Sequence, residues 1–295
     1  MTVVRFDVIQ PRTVAEAVAA LQQAGELAQP VAGGTDILRD LRLGSKKLEL
    51  LVSLDRVADL AGVRQEDDGA FTIGATTTMA HLAGSTPVVE RLSALADAAG
   101  WMGSPQVRNR ATFGGNLCNA RPCADTAPPA MVLGAELELQ GPAGSRRVPA
   151  GEFMTGPGQT VRRGEELLRA VRFPAPAPHS GSAFFTVTNR KAVEITITSA
   201  AAWLRLEEAG GPVVEARVAL GSVAPRPIRA PGAEAELVGK VPDEAVLQAA
   251  ARAAVADATP IDDLRAAAVY RRWMVEAMVK RALLRALERC GRQTP

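Results

Sequence analysis

Residues 106–131, QVRNRATFGGNLCNARPCADTAPPAM, decide how this chain is read. The stretch is too polar, and too rich in Gly, Pro and Asn, for a core helix or strand. A structureless loop of that length inside a compact domain is uncommon, and is either functional or disordered. Apolar helical patterning before it and an apolar strand after it argue for order. Gly114-Gly115 permits a sharp turn and a close approach of backbone to a ligand. Thr112 and Asn116 flank the pair with short hydrogen-bonding side chains. VAGGTDIL (31–38) repeats the design: a short apolar strand, two glycines, then Thr35 as a helix cap. Consecutive backbone N–H groups at such turns form anion-binding concavities. Two of them in one chain predict a ligand with two phosphates.

Outward from these turns, the length of 295 residues predicts about two domains. With 47% apolar and 22% charged residues, the chain can bury a sizeable core. A net charge of +2 and 4% aromatic residues supply neither a basic field nor stacking platforms, which argues against nucleic acid. No window reaches the roughly 18 uninterrupted apolar residues of a membrane span. The opening MTVVRFDVIQP lacks the charged start and long apolar run of a signal peptide, so a cytoplasmic location is expected. Cys118, Cys123 and Cys290 are too few for a four-cysteine cluster, and no metal site is expected. Cys118 and Cys123 fit small buried residues beside a cofactor better than redox or ligand chemistry.

Thr13 and Glu16 make a capping box, and Val14, Ala17, Val18 and Leu21 follow at helical spacing up to Gly25. Residues 29–32 predict a short strand feeding the first glycine turn. A short helix should follow, with Arg39 and Arg42 facing solvent. Residues 48–54 and FTIGATTT (71–78) predict strands, the second ending in threonines that either cap and pair or touch a ligand. Thr86-Pro87 opens a helix reaching Gly100. Asp125-Thr126 and Pro128-Pro129 open another that ends near Gly134, before a strand over 135–139. Arg108 and Arg110 face either phosphates or structural partners.

Residues 167–174 alternate like a strand, and PAPAPHSGS (174–182) has the Pro/Gly/Ser density of a domain boundary. Past it, 182–187, 195–206 and 213–220 predict strands, the last two joined by the turn EEAGGP (207–212). Helices are predicted over 243–257 and from Tyr270 to Glu288. The last has an apolar stripe of Val275, Met278, Val279, Ala282 and Leu283. Its basic remainder, Arg271, Arg272, Lys280, Arg281, Arg285 and Arg289, reads as a solvated face or a docking surface.

A general acid, base or nucleophile set does not assemble from these residues. His81 and His179 have no partner suggested by sequence, and no G-x-S-x-G, P-loop or G-x-G-x-x-G fingerprint occurs. Hydride and electron transfer need no such set, because the cofactor carries that chemistry. A diphosphate-containing redox cofactor fits the residues best.

At the two glycine turns the sequence resembles the FAD-binding (medium) subunits of molybdenum hydroxylases, a family that includes xanthine dehydrogenases and bacterial carbon monoxide dehydrogenases. The matching segments are VAGGTDIL (31–38), IGATTTMAHL (73–82), VRNRATFGGNLCNARPCADTAPP (107–129), LLRAVRFP (167–174) and YRRWMVEAMVKRAL (270–283). The resemblance implies an α+β chain in two parts. The first is a two-lobed FAD-binding domain of the PCMH/VAO type over 1–175, with lobes of about 1–55 and 56–175. The second is a smaller α+β C-terminal domain of the CO dehydrogenase flavoprotein type over 183–290.

It also implies that the first turn, with Val31, Ala32, Gly33, Gly34, Thr35, Asp36 and Ile37, cradles the FAD pyrophosphate. Thr112, Gly114, Gly115 and Asn116 would bind the rest of the diphosphate–ribityl chain, with Asp125 on a sugar or ribityl hydroxyl. Thr77, Met102, Gly103, Cys118 and Ala124 fall at positions near the cofactor, and Leu168 at one packing on it. The molybdenum cofactor and [2Fe–2S] clusters would sit on a large and a small partner subunit, the whole forming a dimer of heterotrimers. Electrons would reach FAD from the partner clusters and leave to NAD, a quinone or oxygen. Thr186 departs from the pattern, standing where xanthine dehydrogenase relatives carry a lysine. No cysteine-rich insertion appears, so the extra iron–sulfur cluster of some relatives is not expected. Two other readings stand beside this one: a self-contained FAD oxidase or dehydrogenase, and a non-redox nucleotide-binding scaffold.

Overall fold

The computed structural model describes residues 5–44, 46–190 and 193–291. Strands β1 (Asp7–Ile9), β2 (Ala28–Val31) and β3 (Leu50–Ser53) form a parallel sheet in the order β1-β3-β2. Parallel neighbours need crossovers rather than hairpins. Helix α1 (Val14–Ala24) supplies one, and α2 (Ile37–Arg42) lies in the other. Thr13 starts α1 by accepting the Glu16 N–H at 3.1 Å, and Gly25 ends it at φ 62°. Ala17, Val18 and Leu21 then pack on Val52 and Leu54 as a small separate core.

Strands β4 (Val63–Gln65), β5 (Phe71–Gly74), β6 (Glu136–Gly141) and β7 (Gly144–Pro149) belong to a second sheet. A short hairpin, β8 (Met154–Gly156) and β9 (Gln159–Thr160), precedes β10 (Leu167–Phe173), which enters the middle of that sheet. The order is β4-β5-β10-β6-β7, antiparallel throughout. Between β5 and β6 the chain makes α3 (Met79–Gly84), α4 (Thr86–Arg91), α5 (Ser93–Trp101), α6 (Pro105–Arg108), α7 (Phe113–Asn119) and α8 (Ala127–Val132). Helix α9 (Ala150–Phe153) follows β7. Phe113 of α7 stacks on Phe173 of β10 at 6.2 Å between centroids, which seats α7 on the sheet.

The third sheet is an antiparallel meander, β11 (Ser180–Val187), β12 (Thr198–Leu206), β13 (Val213–Gly221) and β14 (Ile228–Arg229). It is followed by α10 (Pro231–Leu237), α11 (Glu244–Asp257) and α12 (Ala268–Cys290). Successive strand side chains point to opposite faces. Ala200, Ala202 and Leu204 of β12 share a core with Val275, Val279 and Leu283 of α12. Ala201 and Trp203 belong instead to the core of the second sheet. A strand covered on both sides reads as a near-continuous apolar run, as SAAAWLRL does. β11 presses so close to α12 that a side chain at Gly181 would meet the Ala286 carbonyl at 2.2 Å.

Several expectations change. The stretch 106–131 is not a structureless loop: it holds α7, most of α6 and most of α8. Capping explains this, because Ser104 accepts the Val107 N–H and Thr112 the Gly115 N–H, so each short helix starts with one donor satisfied. Thr35 does not cap α2; the cap position is Asp36, without a side-chain bond. The helix expected over 86–100 is two, broken at Leu92, where the buried Ser93 hydroxyl donates to the Ser182 carbonyl at 2.8 Å. The strand at 71–78 stops at Gly74, since Thr76 and Thr78 turn to the Leu60 carbonyl and the start of α3.

Arg271 and Arg289, read as part of a solvated face or a docking surface, are instead held by partners within the chain. Arg271 is buried and bonds Asp263 at 2.8 Å and the Ile197 and Ser222 carbonyls. Arg289 grips Asp97 of α5 through both terminal nitrogens, at 2.6 and 2.9 Å. A basic residue on a helix face is buried when the neighbouring element brings a carboxylate and carbonyls to meet it. Lys191, inside the FFTVTNRKAVEI segment around Thr186, lies outside the described residues.

Candidate functional site

A cavity of about 800 Å³ opens between the β2–α2 turn, the start of α7, β10 and the segment leading into β12. This is within the range of roughly 300–1,000 Å³ for ligand pockets. Val31, Ala32, Gly33, Gly34, Thr35, Asp36, Ile37, Met102, Gly103, Thr112, Gly114, Gly115, Asn116, Cys118, Ala124, Asp125 and Leu168 all line it. Of the residues expected beside a cofactor, Thr77 alone is elsewhere. Its buried hydroxyl accepts the Gly62 N–H at 2.9 Å and donates back to the Gly62 carbonyl at 3.1 Å, and Thr76 lines the cavity in its place.

The two glycine turns differ in what their amides do. In the first, the N–H groups of Gly33, Gly34, Thr35, Asp36 and Ile37 have no acceptor among the described residues. Gly34 sits at φ +75°, and the change of hand beside Gly33 gives the alternating backbone that gathers successive N–H groups into a concavity. In the second, every corresponding donor is used. Phe113 N–H donates to Thr77 O at 2.9 Å, Gly114 to Ala75 O at 2.8 Å and Asn116 to Thr112 O at 3.0 Å. Gly115 donates to the Thr112 hydroxyl at 3.2 Å. Among the described residues, the second turn therefore does not offer the free amides expected of an anion concavity.

The glycines themselves are required by close backbone crossings. A side chain on Gly33 would meet the Arg110 carbonyl oxygen at 1.9 Å, and one on Gly114 would meet Ala75 at 2.6 Å. Gly33 is thus the point where the two turns touch. Asp40 of α2 and Arg121 reinforce that contact with an ion pair at 3.5 Å. Arg108 proves structural: its guanidinium donates to the Met102 and Gly103 carbonyls at 3.0 and 3.2 Å, which fixes that wall of the cavity. Asn116 is pinned by the Thr126 hydroxyl at 2.6 Å, locking α7 to α8.

Asp125 is, with Asp40, a buried carboxylate of the site. Its Oδ1 accepts the Thr196 hydroxyl at 2.6 Å, and Thr196 is itself buried and lines the cavity. Burial pushes the Asp125 carboxyl up from 3.8 to about 6, with the Thr196 bond opposing the shift. Burial also pushes the Cys118 thiol up to about 11, against the Arg162 charge, and raises Cys123, which Asp125 raises further. Both thiols stay protonated near neutrality and are poor nucleophiles. Among the described residues, no cluster of three or more His, Cys, Asp or Glu could hold a metal ion, and no helix is long and apolar enough to cross a membrane.

Sequence reasoning missed Thr196, Arg162, Asp40 and Lys46 as lining residues, while Thr76 is one of the strand-end threonines for which ligand contact was one of two readings. The alternation of ITIT over 195–198 reads as strand, and nothing local marks Thr196, which meets Asp125 from 71 positions away.

Main-chain amides without an acceptor among the described residues, at one wall of a cavity of this size, are the kind of surface that holds a phosphate-bearing cofactor. Residues 4–176 match the family described as the FAD binding domain in molybdopterin dehydrogenase, and residues 183–286 match the CO dehydrogenase flavoprotein C-terminal domain. The carbon monoxide dehydrogenase medium chain of Hydrogenophaga pseudoflava is 37% identical over 97% of this chain and 99% of that one. The xanthine dehydrogenase FAD-binding subunit of Escherichia coli O157:H7 is 35% identical over 95% of each. The solved carbon monoxide dehydrogenase from Hydrogenophaga pseudoflava superposes with a TM-score of 0.93 at 38% identity, covering 98% of this chain and 100% of that chain. The chain belongs to the FAD-binding medium subunits of the molybdenum hydroxylases, an oxidoreductase family, and FAD is its cofactor.

Proposed function

We propose that this chain is the FAD-carrying electron-transfer subunit of a molybdenum hydroxylase complex. It would draw electrons from [2Fe–2S] clusters on a small partner, fed by a molybdenum cofactor on a large one, and pass them to NAD, a quinone or oxygen. The observation that carries the reading is the run of five N–H groups from Gly33 to Ile37 that have no acceptor among the described residues, at one wall of the cavity of about 800 Å³. A diphosphate offers charged acceptors to such donors, and charge-assisted hydrogen bonds are about twice as strong as neutral ones. When bound, the flavin supplies the redox chemistry.

The chain's own residues bind, orient and exclude water. Gly33 to Ile37 hold the pyrophosphate. Thr112 and Asn116, stiffened by their own hydrogen bonds, border the path of the ribityl chain, and Asp125 accepts from a sugar or ribityl hydroxyl. Leu168 and Met102 give the flavin apolar contact. The division into an FAD-binding part over 1–175 and a C-terminal part over 183–290 belongs to this reading. So do assembly as a dimer of heterotrimers and a cytoplasmic location.

Purification from the native host, followed by absorbance spectroscopy and identification of co-purifying chains, tests the proposal. Flavin absorbance together with iron–sulfur and molybdenum subunits is the expected result. Flavin on an isolated chain that turns over an organic substrate would replace the reading with a self-contained oxidase. A colourless chain that takes up no added FAD would overturn it.

A further inference from the structure

The contact between Thr196 and Asp125 joins residues 71 positions apart, one on the segment entering β12 and the other between α7 and α8. Both are buried, at 2% and 8% exposure, and both line the cavity. In its ionised form Asp125 can only accept, so the Thr196 hydroxyl spends its single proton on Oδ1, at 2.6 Å. That hydroxyl oxygen then accepts from Thr186 of β11, 3.0 Å away, whose hydroxyl also lies 3.3 Å from the Thr198 carbonyl. The same β-meander grips the Asp125 loop a second time, where the Ser222 N–H donates to the Pro122 carbonyl at 2.9 Å.

We infer that Thr196 is a positioning residue for cofactor binding: by holding Oδ1 of Asp125, it fixes the direction of Oδ2 and makes the C-terminal part of the chain a determinant of FAD affinity. The inference rests on the proposed role of Asp125 as a hydroxyl acceptor. A carboxylate with one oxygen occupied by a rigid buried donor has one orientation left for the other, and loses rotational freedom before the ligand arrives. The donor also favours the charged form of Asp125 against the cost of burial. A charged acceptor makes the stronger bond to a ligand hydroxyl. Thr186 supports Thr196 in turn, but Thr196 keeps its own proton for Asp125 without it.

The test titrates the full-length apoprotein with FAD, following flavin fluorescence, with thermal melting to confirm that each variant folds. Thr196→Val should weaken FAD binding about tenfold or more, the loss of one hydrogen bond to a charged group. Thr196→Ser keeps the hydroxyl and should bind within about twofold of the natural chain, below the spread of a single weak contact. Asp125→Ala supplies the decisive comparison, because Asn would keep an Oδ1 acceptor for Thr196: adding Thr196→Val to it should cause no further loss, the route through residue 125 being gone. Undiminished affinity in Thr196→Val, or an equal loss in the Asp125→Ala background, overturns the inference. Failure of the unaltered chain to bind FAD would overturn the proposed function instead.

Discussion

The pairs Gly33-Gly34 and Gly114-Gly115 share a local pattern, an apolar approach, two glycines and short polar flanks, yet their main chains are in opposite states. Around Gly33-Gly34 five amides have no acceptor among the described residues, and all five residues line the cavity. Around Gly114-Gly115 each amide is committed, to Ala75, Thr77 or Thr112. The first pair forms a donor surface, and the second anchors α7 to the strand end that follows β5. A glycine pair in sequence signals close approach of backbone, but the approach can be to a ligand or to another stretch of the same chain. Here Gly33 serves both ends, since its missing side chain lets the Arg110 carbonyl sit against the turn.

The sharpest way to break this comparison is Gly33→Val. Its side chain would overlap the Arg110 carbonyl, at a point where two backbones must both move. A loss of about 4 kcal/mol in urea-unfolding free energy is expected, at the severe end for a single substitution, together with loss of FAD binding. A nearly unchanged unfolding midpoint would show that the two turns do not brace each other.

Asp125→Asn asks whether the stretch after the second turn serves the site through a side chain rather than amides. Because the folded carboxyl titrates near 6 and an unfolded one near 3.8, the native state holds the extra proton between those values. The associated stability is complete below about pH 4 and is lost as pH rises through about 6, a difference of about 3 kcal/mol. The Asn variant of the apoprotein should therefore exceed the natural chain by about 3 kcal/mol at pH 7.5, and converge with it near pH 4, in urea melts. FAD affinity should fall in the same variant. Equal stability at both pH values would place Asp125 in a wetter setting than its burial indicates.

Gly34→Ala acts on the free turn alone. An alanine held at positive φ costs about 1–2 kcal/mol, and any relaxation of the turn scatters the amides. Fluorescence titration should show FAD binding weakened by about tenfold, an effect equal to about one charge-assisted hydrogen bond. Thr112→Ala is the milder counterpart on the committed turn. It removes the cap on Gly115 and should lower stability by about 1 kcal/mol, with a smaller effect on FAD than Gly34→Ala. The reverse ranking of those two affinities would return the phosphate contact to the second turn.

Much of the fold was legible because its determinants are local. The Thr13 cap, the Gly25 stop and the apolar spacing of α1 lie within a dozen residues of each other. The stripe Val275, Met278, Val279, Ala282 and Leu283 of α12 is likewise buried where its spacing places it. The short helices α6 and α7 were not legible, since a seven-residue helix containing two glycines has no propensity of its own. They exist because Ser104 and Thr112 cap them and because Phe113 stacks on Phe173, 60 positions later.

The sequence by itself determined the family, through motifs long enough to be specific, and with it the α+β architecture, the cofactor class and a set of residues of which all but Thr77 line the cavity. Tertiary structure alone decided which of two similar turns keeps its amides free, that Arg271 and Arg289 are bound rather than solvated, and that Thr196 meets Asp125. The physical reason is the range of the forces involved. Turn propensity and helical periodicity act over a few residues, whereas the partner of a hydrogen-bonding group is whatever the packed chain brings within about 3 Å of it.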